Sequence, residues 1–250
     1  MKNKQNPKGQ LIVALDVDTL AEAKNLIEQL SPVVDIFKVG SQLFTACGPA
    51  AVRFIQAKDK QVFLDLKFHD IPNTVANAVS AAVALSTEVH QSGGSSGRAA
   101  PSILMYTVHI QGGRKMLEAA ALASAKTAEK LKVTKPLVVG ITVLTSEEKK
   151  VNIQNLVLER ARLARDSGLD GVVASAQEAE IIRKEFGKNF VIVTPGIRPK
   201  DADAGDQQRT ATPAEAIAHG SDFLVVGRPI LKAKDPVFAA KEILEEMSPA

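Results

Sequence analysis

The sequence predicts a (β/α)8 barrel, a closed parallel sheet ringed by helices, formed as a single α/β domain. Three observations carry that expectation. The chain has 250 residues, a length at which such barrels occur as one unit. Eight short runs rich in Val, Ile, Leu or Phe alternate with longer amphipathic segments, as strands covered on both faces alternate with helices covered on one. The first strand-to-helix turn, Asp16-Val17-Asp18-Thr19, lacks the glycine-rich fingerprint of a dinucleotide-binding doubly wound sheet, the alternative arrangement for this alternation.

Taken in order, strands are expected at 11–16, 36–39, 62–67, 103–109, 137–142, 171–174, 190–193 and 223–226. Helices are expected at 20–30, 49–57, 72–85, 113–131, 153–167, 176–186, 212–219 and 236–247. Thr19 and Glu22 have the spacing of a capping box for the first helix. Pro49, Pro72, Pro213 and Pro236 stand where a first helical turn needs no N–H. Residues 1–10 are expected to be a flexible N-terminal segment, with the barrel over 11–250. Residues 86–101 interrupt the rhythm with the linker-like string Ser92-Gly93-Gly94-Ser95-Ser96-Gly97. Within it Val89-His90-Gln91-Ser92-Gly93-Gly94 echoes Val108-His109-Ile110-Gln111-Gly112-Gly113. The strand is assigned to the second copy because a helix-like segment follows it directly, which makes the first a surface loop insertion.

Composition excludes several classes. Apolar residues are 45% and charged residues 24%, with a net charge of +3, ordinary for a soluble enzyme. No long run of like charge marks a nucleic-acid partner. Cys47 is the only cysteine, so no internal disulfide is possible, and it reads as a small buried hydrophobe. Leu11 to Leu15 is too short for a signal-peptide core or a membrane span. A cytoplasmic protein with no membrane association is expected.

The chemistry concentrates in Asp65-Leu66-Lys67-Phe68-His69-Asp70-Ile71-Pro72-Asn73-Thr74. Side chains alternate along a strand, so Phe63, Asp65 and Lys67 share one face and Leu64 and Leu66 the other. The leucines suit the layer under the helices, which turns Asp65 and Lys67 into the barrel near its C-terminal mouth. Inward charges are costly unless paired. Lys38, inside the apolar second strand, and Asp16, ending the first, are the partners in reach. Three successive strands thus carry charge at the end where barrels of this kind place their active sites. An ion-pair network that merely closes the barrel is the alternative.

Thr194-Pro195-Gly196-Ile197-Arg198 follows the seventh strand and Val226-Gly227-Arg228-Pro229 the eighth. Loops at these positions often bind phosphate. Gly227 allows close backbone approach, Arg228 offers a bidentate fork, Pro229 can open a short helix, and Arg198 can assist. Loop 198–211 reads as a lid over substrate. His69 and His109 belong to no spaced His/Cys cluster and read as structural histidines, and no Ser/His/Asp arrangement is placed. No metal is expected.

These motifs, together with Ala14-Leu15-Asp16, Phe37-Lys38-Val39-Gly40 and Gly205-Asp206-Gln207, resemble the orotidine 5′-monophosphate decarboxylases of the bacterial type. The resemblance runs from about residue 11 to 240 in family order, and residues 86–101 depart from it as an insertion. It implies a cofactor-independent conversion of orotidine monophosphate (OMP) to UMP and CO2 in de novo pyrimidine biosynthesis. It implies a catalytic chain of Lys38, Asp65, Lys67 and, from the other subunit of a homodimer, Asp70. Lys67 would protonate a carbanion at C6, and Asp65 would face the departing carboxylate. Asp16 and Lys38 would hold ribose hydroxyls, with Thr74 joining from the partner. Thr145 would bond the pyrimidine, and Gln207 would reach pyrimidine and phosphate. Ile71, Pro195, Arg198, Gly227 and Arg228 complete the implied substrate-binding set.

Two other readings stay open on the sequence. One is a metal-dependent hexulose-phosphate synthase or keto-gulonate-phosphate decarboxylase, which shares the Asp-x-Lys-x-x-Asp theme. Phe68 to Thr74 and Gly205-Asp206-Gln207 argue against it. The other is a non-catalytic phosphoribosyl-binding barrel, against which the intact Lys38, Asp65, Lys67 and Asp70 argue.

Overall fold

A computed structural model of the chain describes residues 9–87, 103–143, 152–199 and 210–248. Eight parallel strands close into a barrel in sequence order, and the eighth pairs with the first. They are β1 (Gln10–Ala14), β2 (Ile36–Gly40), β3 (Gln61–Phe68), β4 (Ile103–His109), β5 (Leu137–Ile141), β6 (Gly171–Val173), β7 (Val191–Thr194) and β8 (Phe223–Val226). Each lies within two residues of its expected bounds. The helices are α1 (Leu20–Leu30), α2 (Ser41–Cys47), α3 (Ala50–Ala57), α4 (Pro72–Ala84), α5 (Gly113–Leu131), α6 (Ile153–Asp166), α7 (Ala176–Phe186), α8 (Pro213–Ala218), α9 (Arg228–Leu231) and α10 (Pro236–Glu246).

The strands have two faces and build two cores. Ile12, Ala14, Ile36, Phe63, Met105, Val139, Val193, Phe223 and Val225 fill the barrel. Their strand neighbours Leu11, Val13, Phe37, Val62, Leu64, Tyr106, Val138, Val172, Ile192 and Leu224 face the helical ring. A buried aliphatic or Phe side chain is worth about 1.5–3 kcal/mol, so both cores oppose any one-residue slip in register. The inner packing stops below the C-terminal mouth, where the next inward positions are Asp16, Lys38 and Asp65.

Helix ends follow the sequence closely. Thr19 and Glu22 form the expected capping box, and Thr212 with Glu215 and Ser175 with Glu178 form two more. Pro72, Pro213 and Pro236 occupy first-turn positions, whereas Pro49 is the N-cap residue of α3. Helix α2 was not expected. It is seven residues long, and its N-cap Gly40 offers no side-chain bond, so the usual start signal is missing. Cys47 is half-buried and its thiol donates to the Leu43 carbonyl at 3.1 Å, so it is less enclosed than expected.

Residues 1–8 and 88–101 lie outside the described residues, and with them most of the expected N-terminal segment and most of the insertion; the barrel begins one residue earlier than expected, because Gln10 already pairs in β1. Ser86 and Thr87 continue α4 as a 3-10 turn. Among the described residues, no helix is long and apolar enough to cross a membrane.

Candidate active site

The charged residues meet at the mouth in a linear array. Asp16 Oδ1 accepts from Lys38 Nζ at 3.0 Å, Lys38 Nζ stands 3.6 Å from Asp65 Oδ2, and Lys67 Nζ donates to the same Oδ2 at 2.7 Å. Strand pairing sets up this order, because Ala14 faces Lys38 and Gly40 faces Asp65 across the parallel ladder. Gly40 keeps room for it, since a Cβ there would lie 2.9 Å from Lys38 Nζ. Lys38 and Asp65 are buried, while the side chains of Lys67 and Asp16 are 34% and 51% exposed. The array therefore has a buried centre and two ends that reach towards solvent.

Asp65 takes a donor on each oxygen, because Thr107 Oγ1 donates to Oδ1 at 2.9 Å. Burial pushes its carboxyl up. The ammonium groups of Lys38 and Lys67, with the bonds from Lys67 and Thr107, outweigh burial and hold it below its ordinary value of 3.8. It is an anion at neutral pH, with a lysine on each side.

Strict alternation is not what aims Lys67. The pairing of β3 with β4 passes from Leu64 opposite Tyr106 to Phe68 opposite Val108, so Asp65, Leu66 and Lys67 stand opposite Thr107 alone. At this bulge Lys67 adopts φ +52°, a left-handed conformation that costs a residue with a Cβ about 1–3 kcal/mol. Its N–H leaves the ladder and donates to Thr107 Oγ1 at 2.8 Å. Asp65 and Lys67 do face the pocket and Leu66 packs outward, but by way of a bulge.

The pocket is lined by Lys38, Asp65 and Lys67 on one side and by Phe63, Ile141, Val143, Val173, Pro195 and Val225 elsewhere. It joins a charged wall to an apolar one. Of this lining only the charged residues and Pro195 were expected as site residues. Phe63, Thr107, Ile141, Val173 and Val225 lie within expected strands but carry no chemical signature, and Val143 lies just past the end of β5.

The remaining expected residues divide. Gly227 closes β8 beside Asp16, and Arg228 opens α9, with Pro229 in its first turn as expected. Arg198 is 9% exposed, and its N–H donates to the Ala211 carbonyl at 3.0 Å. Asp70, Ile71 and Thr74 are exposed and absent from the pocket wall. Ile71 is 66% exposed, one of three large hydrophobics so open to solvent among the described residues. Thr145, Gly205, Asp206 and Gln207, with most of loop 198–211, lie outside the described residues.

Behind Lys67, the His69 and His109 rings stand 5.4 Å apart. Burial, then His69, Lys67 and Arg160, hold His109 below its ordinary value of 6.5, against an opposing pull from Asp65. No group of three or more His, Cys, Asp or Glu suited to a metal ion occurs among the described residues.

Comparison with known proteins agrees with this geometry. The family described as "Orotidine 5'-phosphate decarboxylase / HUMPS" matches residues 9–243. The orotidine 5'-phosphate decarboxylase of Moorella thermoacetica is 46% identical over 253 residues, covering 98% of this chain and 94% of the relative. That of Syntrophotalea carbinolica is 46% identical over 249 residues, covering 96% of each. The crystal structure of the Lactobacillus acidophilus orotidine 5'-phosphate decarboxylase superposes with a TM-score of 0.78 at 32% identity, over 96% of this chain and 100% of that one. With a matching family, near-full-length relatives and a shared barrel, the chain belongs to the orotidine 5'-phosphate decarboxylase / HUMPS family.

Proposed function

We infer that this protein is a carboxy-lyase that converts OMP to UMP and CO2, the step that makes UMP in pyrimidine biosynthesis. The relatives that bear the decarboxylase name at 46% identity support the activity. The observation that carries the mechanism is the Lys67 ammonium, 2.7 Å from an ionised Asp65 on the charged wall of a pocket whose other side is apolar.

When the bond from C6 to the carboxylate breaks, its electron pair stays on C6 in the ring plane. The ring π-system cannot delocalise it, so an adjacent cation must stabilise it. Lys67 supplies that cation and then transfers one of its protons to C6, leaving a neutral amine for solvent to reprotonate. Asp65 faces the substrate carboxylate. Two like charges about 4 Å apart repel by roughly 4 kcal/mol at an effective dielectric near 20, and CO2 loss relieves that repulsion. The larger contribution is assigned to the preorganised charge of Lys67, which needs no reorientation as the carbanion forms.

Asp16 and Lys38 bind ribose hydroxyls. Pro195, Gly227, Arg228 and Arg198 serve the base and phosphate, and Thr145 and Gln207 are assigned the pyrimidine contacts that the family resemblance implies. Asp70, Ile71 and Thr74 act in the neighbour's pocket of a homodimer, a reading supported by their exposure and by their absence from their own pocket wall. A nucleoside monophosphate does not cross a bilayer unaided, which supports assigning the enzyme to the cytoplasm.

The family also contains hexulose-phosphate synthases that use a divalent metal. Asp65 is a poor ligand for such an ion, because Lys67 and Thr107 already occupy its oxygens and Lys38 stands close by. The test is the loss of OMP absorbance on adding purified protein, with and without chelator. Equal rates are expected in both. No loss without chelator, or loss abolished by chelator, contradicts the reading.

A further inference from the structure

We propose that Thr107 is a positioning residue for the reaction, its one hydroxyl setting both the Asp65 carboxylate and the backbone turn that aims Lys67. The proposal rests on the decarboxylase reading for its kinetic consequence, but not for its geometric one.

Thr107 is fully buried and lies on the inward face of β4 between Met105 and His109. A threonine hydroxyl offers one donor and two acceptor sites. Here the roles are fixed by the neighbours. A backbone N–H can only donate, so Oγ1 accepts from Lys67 N at 2.8 Å. An ionised carboxylate can only accept, so the hydroxyl proton goes to Asp65 Oδ1 at 2.9 Å. The hydroxyl therefore has a single orientation, and it ties together two residues that are also joined at their other ends, where Lys67 Nζ meets Asp65 Oδ2 at 2.7 Å.

The closed ring Asp65–Thr107–Lys67 answers a problem created by the bulge. Three residues of β3 stand opposite Thr107 alone, so the Lys67 N–H has no ladder carbonyl to meet. A buried N–H without a partner is unfavourable, and the left-handed backbone of Lys67 is unfavourable too. The side chain of Thr107 takes the place of the missing carbonyl. Without it, the backbone at 67 is free to relax towards an extended conformation and to swing the ammonium away from the pocket. A methyl in place of the hydroxyl also leaves Asp65 Oδ1 without a donor.

The test compares Thr107→Val, which keeps shape and loses the hydroxyl, with Thr107→Ser, which keeps the hydroxyl. Three quantities are read: kcat for OMP, the Kd for UMP, and the titration of the Asp65 carboxyl by carbon-13 NMR in the free protein. Thr107→Val is expected to lower kcat by about 10- to 100-fold, the scale of a misplaced reacting group. UMP affinity should change much less. The Asp65 titration should move upward, since a donor to its charged form is lost. Thr107→Ser should recover most of the turnover and the original titration. If the valine variant does not fold, Thr107→Cys decides, because its weaker donor should give a smaller shift in the same two quantities.

Parent-like turnover and an unmoved Asp65 titration in Thr107→Val, or in Thr107→Cys in its stead, would overturn the proposal. So would a serine variant as impaired as the valine one, which would assign the effect to methyl packing. If the parent protein does not decarboxylate OMP at all, the activity reading fails by itself. The Asp65 titration then decides the role of Thr107.

Discussion

At the scale of single residues, the site is a contest between burial and charge. Asp65 is buried deeply enough to favour its neutral form, yet two ammonium groups and two hydrogen bonds keep it ionised. His109, one inward position beyond Thr107, is partly desolvated and has cationic neighbours, and these surroundings favour its neutral form. Both groups bind protons less well in the folded protein than in the unfolded chain, so both make stability rise with pH. The His109 contribution is complete above its ordinary value of 6.5 and is lost as pH falls through its lower folded value. The Asp65 contribution is complete above 3.8 and is lost on further acidification. Urea midpoints should therefore fall as pH drops below about 6.5, and His109→Asn should lessen that upper decline. Identical pH profiles for the variant and the parent would contradict this assignment.

At the scale of elements, the two ends of the strands do different work. The C-terminal ends carry the charge array. The N-terminal ends carry staples, in which an aspartate just before a strand bonds the neighbouring strand. Asp222 Oδ2 accepts from the Ile192 N–H at 2.8 Å and from Arg183 at 2.6 Å. Asp170 Oδ2 accepts from the Val138 N–H at 2.8 Å and from Lys135 at 2.5 Å. Arg183, on α7, also reaches the carbonyls of Gly187, Phe190 and Gly220. Arg183→Met should cost about 3 kcal/mol in urea unfolding, the scale of a broken, largely buried pair. Turnover per folded molecule should not change, because the staple lies at the far rim from the pocket. An equal loss of kcat would show that the two ends are coupled. The strands were legible from their apolar runs because burial on both faces dictates them. Helix α2 was not, for its glycine cap leaves no polar signature. The bulge in β3 was not legible either, because it depends on the register with β4, a relation between segments forty residues apart.

At the scale of the whole molecule, the barrel gathers Asp16, Lys38, Asp65 and Lys67 from three strand ends, and this was readable because inward charge in an apolar strand has few explanations. Asp70 and Thr74 stood out by family likeness alone, and both side chains are exposed. If the site is shared across a homodimer, Lys67→Ala and Asp70→Ala are each inactive alone. Co-refolded in equal amounts, they should regain about a quarter of parent activity, since half the dimers are mixed and each holds one intact site. No regain would place both residues in one subunit's site. The central claim, that the Lys67 ammonium performs the chemistry while other groups bind the nucleotide, is tested most directly by single-turnover decarboxylation and UMP binding in Lys67→Ala. Turnover should fall by at least about a thousandfold, within the range assigned to a lost proton donor, while UMP binding stays measurable. Near-parent turnover in that variant would contradict the account.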